Sequence, residues 1–141
     1  MRIAIGIGIG IVAAWLVALS YYDVRERRLP NWLTLPGGAV ILIAAVLAGR
    51  GTQALMGGLA LTAVYLAVHL AAPAAMGAGD VKLAVGLGEL SGCFGVEVWL
   101  LAALGAPLLT AAVGLLCGLR TVPHGPSMCV ATGFAMALAI A

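Results

Sequence analysis

Apolar runs near 20 residues long, separated by short polar breaks, leave this chain one architecture. A helix needs about 20 apolar residues to cross roughly 30 Å of hydrocarbon, and inside lipid every backbone N–H and C=O must find its partner within the protein. The alternating polarity of an outer-membrane strand is absent, so the expectation is an all-α membrane protein, a polytopic bundle of about six transmembrane helices in one domain over residues 1–141. Composition agrees: 64% of residues are hydrophobic and 9% charged, well beyond the apolar content of an ordinary soluble domain. We read helices at Ile3–Tyr22, Trp32–Ala48, Thr52–Ala72, Val81–Phe94, Val98–Leu119 and Met128–Ala141. The breaks between them carry turn chemistry at Leu29-Pro30-Asn31, Gly49-Arg50-Gly51, Pro73 and Pro123.

Few ionisable groups survive in such a chain, and their placement is informative. Alternating the helices with the loop after the first one inside puts Arg25, Arg27, Arg28, Lys82 and Arg120 on the inner side and only Arg2 and Arg50 outside. That matches the positive-inside tendency and places the N-terminus outside. The first apolar run exceeds a signal h-region and its cations follow it, so it reads as a retained helix. The fourth and sixth helices offer only about 14 apolar residues each, roughly 21 Å, too short for ordinary lipid-facing spans. The fourth is therefore expected inside the bundle. Gly6-x-x-x-Gly10, Gly88-x-x-x-Gly92 and Gly114-x-x-x-Gly118 have the small-xxx-small spacing of closely packed membrane helices. Cys93, Cys117 and Cys129 lack metal or disulfide spacing and read as small core residues.

The only two aspartates are Asp23 and Asp80, each at a helix edge on the inner side. An acid beside a membrane segment is a functional candidate by default. Asp80 has a bland reading as the N-cap of the fourth helix, where the dipole favours an anion. Asp23 closes a helix, where the dipole disfavours one, and its bland reading is a charge tied to Arg25 and Arg27. Both acids on one face point instead to a pair: one ionised carboxylate draws a proton from water while a protonated one polarises an amide carbonyl. Helix-end placement assigns the shared proton to Asp23. Gly77 and Gly79 would let a substrate strand pass close to Asp80.

Asp23-Val24-Arg25-Glu26-Arg27-Arg28-Leu29-Pro30-Asn31-Trp32-Leu33, followed by Gly77-Ala78-Gly79-Asp80-Val81-Lys82-Leu83, resembles the prepilin peptidases, the type IV leader peptidase family of GxGD aspartic proteases. Val122-Pro123-His124-Gly125-Pro126-Ser127 resembles their third, weaker motif. The resemblance implies an inner-membrane endopeptidase that removes the basic leader of a prepilin or pseudopilin precursor at the cytoplasmic face. It implies Asp23 and Asp80 as the catalytic pair, with Pro30, Asn31, Gly77, Gly79 and Lys82 as positioning residues. His124 stands where many relatives carry an aromatic. The chain lacks the long cysteine-containing cytoplasmic insertion of the larger bifunctional members and is similar to the minimal form of tight-adherence pilus systems. No cofactor or metal is implied, and methylation with S-adenosylmethionine is not expected.

The remaining polar groups weigh less. His69 reads as an interior histidine with its hydrogen bonds satisfied, and Glu89, roughly 13 Å along the fourth helix from Asp80, as a marker of the outer interface. The Arg25–Arg28 run reads as a topology anchor that meets anionic membrane lipid; nucleic acid is not an expected partner. Two other readings share some features. A presenilin or signal-peptide-peptidase type protease also pairs Tyr-Asp with GxGD, but the third motif does not fit. A small cation or proton transporter would hold its acids near the midplane and show a repeat, and neither is seen here.

Overall fold

Backbone pairing in hydrocarbon demands helix, and helix is what these apolar runs form. The structure, a computed structural model, describes residues 2–74 and 76–141. Among the described residues run six helices and no strand: α1 (Arg2–Glu26), α2 (Asn31–Leu47), α3 (Gly51–Ala71), α4 (Ala78–Gly92), α5 (Val96–Cys117) and α6 (His124–Ile140). Helices α1, α3 and α5 are long and apolar enough to cross a membrane, and α2 and α6 are shorter apolar helices.

The 15-residue α4 lies at the centre, packed against α2, α3, α5 and α6, as its shortness led us to expect. Its Leu83, Ala84, Leu87 and Leu90 are buried, while Ile3, Leu47, Leu115 and Leu116 on surrounding helices face outward, as lipid-facing side chains do.

Glycine sets how closely α3 and α4 approach. A Cβ on Gly88 would sit 2.5 Å from the Gly57 carbonyl oxygen and 2.9 Å from the Gly58 Cα. One on Gly92 would sit 2.7 Å from the Gln53 carbonyl oxygen. These neighbours are backbone and cannot swing aside. Of the three small-xxx-small spacings, Gly88-x-x-x-Gly92 is the one that makes a helix contact; Cβ atoms on Gly6 and Gly10 would meet nothing within 4 Å, and Gly118 instead ends α5 at φ +65°. Gly88→Ala is therefore expected to lower stability by about 1–3 kcal/mol, the usual cost of overpacking. Gly10→Ala should change it little. Thermal melting of the two variants in the same detergent checks the contrast, and equal melting temperatures would contradict this contact.

Helix α1 touches the bundle along a narrow stripe. Trp15, Leu19 and Asp23 recur every four residues, so they share a face. The Trp15 indole N–H donates to the Leu33 carbonyl at 2.9 Å, and its ring lies against Gly37 and Gly86. Leu19 and Asp23 are buried. The helix does not stop at Tyr22, as the hydropathy suggested, because polarity ends an apolar run without breaking a helix. It continues until Arg27, whose N–H donates to the Asp23 carbonyl at 3.0 Å and whose φ of 52° turns the chain.

Two expectations fail in the interior. Glu89 is not at the outer interface but inside the bundle, 5% exposed, against Gly38 of α2 and Gly58 of α3. Moving along an enclosed helix leads into packing, and those two glycines make room for its side chain. Of the three free cysteines only Cys129 is a core residue; Cys93 is half-buried and Cys117 exposed.

Candidate active site

The end of the bundle where α1 finishes and α4 and α6 begin holds a polar cavity of about 300 Å³. Asp23 enters it from the last turn of α1 and Asp80 from the first turn of α4, with Arg27, Arg28, Asn31, Gly77, Gly79 and Lys82 around them. Six of the seven residues singled out from the sequence thus meet in one place. The seventh, Pro30, stands just before α2, where its carbonyl accepts the N–H groups of Leu33 and Thr34 at 3.1 Å and starts that helix. Lys82 donates to the Asn31 side-chain oxygen at 2.8 Å, tying the first turn of α4 to that of α2.

Asp80 is not the N-cap of α4. That position belongs to Gly77, whose carbonyl accepts the N–H of Asp80 at 3.2 Å, and no side chain caps the helix. Standing one turn inside instead, Asp80 lies just before the apolar stretch that opens at Val81. Burial pushes its carboxyl up to about 6, Asp23 adds to the push, and the Gly77 backbone opposes it. The loop leading to this turn is held from α3, where one ring nitrogen of the half-buried His69 bonds the Met76 carbonyl.

Asp23 has a partner that sequence reading did not single out. The Gly125 N–H, in the first turn of α6, donates to its carboxylate at 2.9 Å across 102 residues of sequence. That donor favours the ionised form. Any Cβ at Gly125 would run into the carboxylate, so the residue must be glycine for this approach. Of the two arginines expected to neutralise Asp23, Arg27 lines the cavity, while Arg25 stacks over the Tyr21 ring at 5.9 Å. The Gly125 donor on Asp23 and the raised Asp80 carboxyl both act against the proton placement expected from helix ends alone.

His124, the residue before Gly125, is bonded at both ring nitrogens: Nε2 lies 2.9 Å from the Tyr65 hydroxyl of α3, and Nδ1 2.7 Å from the Thr110 hydroxyl of α5. Neither hydroxyl carried any sequence signal, since a lone Tyr or Thr in an apolar helix is unremarkable.

Two carboxylates from separate helices, brought into one polar cavity at the cation-rich end of a polytopic helical bundle, define a membrane protein equipped for acid–base chemistry. The type IV leader peptidase family matches residues 10–140, nearly the whole chain, and the chain belongs to that family. It is accordingly a membrane peptidase. No curated protein and no solved structure matches it.

Proposed function

We propose that the chain is an aspartic endopeptidase that removes the leader of type IV prepilin or pseudopilin precursors at the cytoplasmic face of the inner membrane. The observation that supports this most is the entry of Asp23 and Asp80 into one cavity from different helices. A water between them loses a proton to ionised Asp23 as it attacks the scissile carbonyl, and protonated Asp80 donates to the carbonyl oxygen. Collapse of the tetrahedral intermediate then returns a proton to the leaving amine. Gly77 and Gly79 present backbone without side chains to the cavity, leaving room for an extended peptide. Lys82 and Asn31 hold the α4 and α2 turns in register.

Orientation rests on charge. Arg25, Arg27, Arg28, Lys82 and Arg120 belong to the active-site end or its loops, whereas Arg50 bonds the Cys93 carbonyl at the opposite end. The basic end faces the cytoplasm and anionic lipid. Incubating the purified protein with a prepilin precursor and reading both new termini by mass spectrometry tests the activity. A cysteine placed at Arg28 and labelled only from the periplasm would overturn the orientation.

The pH profile tests the proton assignment. Asp80 must hold its proton, and that proton leaves as pH rises through about 6. Since kcat/KM reports the free enzyme, it should fall about tenfold per pH unit above that point. A profile flat between about pH 5 and 8 would remove Asp80 as the acid.

A further inference from the structure

His124 is held more firmly than its place at the start of a helix requires. Both ring nitrogens are engaged, one by Tyr65 of α3 and one by Thr110 of α5, so three helices are tied through one imidazole. In the neutral ring one nitrogen donates and the other accepts, and each hydroxyl can take the complementary role. The next residue is Gly125, whose N–H reaches Asp23. The position of that donor is therefore the position of the α6 start, where two hydroxyls from α3 and α5 hold the neighbouring ring.

We propose that Tyr65, His124 and Thr110 form a positioning relay that sets the Gly125 N–H against the Asp23 carboxylate and so holds one acid in register with the other. The inference rests on the peptidase reading of Asp23 and Asp80 and deepens it. The far end of the relay is enclosed as well: Tyr65 is 5% exposed, and its hydroxyl is held by the His124 ring. The relay thus runs from α3 and α5, through the α6 start, to the donor on Asp23. Its members need not touch substrate. A hydrogen bond between Gly125 and Asp23 has little tolerance for drift, and a catalytic group displaced by about 1 Å can cost two orders of magnitude in rate.

Tyr65→Phe removes one hydroxyl and keeps the ring and its packing; Thr110→Val does the same at the other nitrogen; His124→Leu removes both bonds; His124→Gln restores one. Each variant is purified in detergent and followed by precursor cleavage and by infrared spectroscopy of the Asp23 carboxylate band, identified by its loss in Asp23→Asn. Tyr65→Phe and His124→Leu are expected to lower kcat by about ten- to a hundredfold with KM nearly unchanged, to shift the Asp23 band, and to be partly rescued in His124→Gln. A parent-like band and kcat in folded Tyr65→Phe would overturn the relay, and that variant serves even if His124→Leu does not fold. The band reads the relay without any turnover, so a parent protein that cleaves no precursor sinks the peptidase reading while the relay is still decided.

Discussion

Asp23→Asn and Asp80→Asn should each abolish precursor cleavage, and the double variant should be no worse than either. Removing a positioned acid or base costs about 10²–10⁴ in rate, and here both act on one water, so loss of either leaves the other without its task. The structure supports this coupling, since the two carboxylates share a cavity and Asp23 adds to the upward push on Asp80. Cleavage assays on the three variants at equal protein concentration read the outcome. Single variants that keep substantial activity, with losses that multiply in the double, would mean the two acids work independently.

Gly125→Ala is expected to be nearly as damaging, though it leaves every charged group in place. The added methyl runs into the Asp23 carboxylate, which must turn away from the N–H that holds it. Loss of a hydrogen bond to a charged group costs about 1.5–3 kcal/mol, or roughly 10–150-fold in an equilibrium, before any steric displacement is counted. We expect kcat to fall by about 10²-fold or more while the melting temperature moves little, because the strain is relieved by rotating one side chain. Full activity in Gly125→Ala would show that Asp23 does not depend on this donor.

What could be read from the sequence followed from two kinds of signal. Apolar run length announced the helices, and a run too short to span placed α4 inside before any contact was known. The Asp-x5-Leu-Pro-Asn and Gly-x-Gly-Asp-x-Lys stretches singled out Asp23, Asn31, Gly77, Gly79, Asp80 and Lys82, which the cavity brings together. Interactions that depend on which helix faces which left no local trace. Gly125 lay within the third motif, but it acts through its backbone N–H, and nothing local showed that this donor faces Asp23. Tyr65 and Thr110 matter because α3 and α5 both meet the α6 start. Glu89 looked interfacial because depth along a helix was taken for depth in the membrane, and only the ring of neighbours around α4 shows it to be enclosed.

The hydrogen bond between α1 and α6 also makes the surroundings of Asp23 depend on two helices far apart in the sequence. During synthesis α1 enters the membrane first, and the sequence between it and Gly125 must be threaded before the donor exists. Until then both aspartates are present but Asp23 is unrestrained. In the proposed mechanism the Asp pair is therefore complete only when α6 lies beside α1.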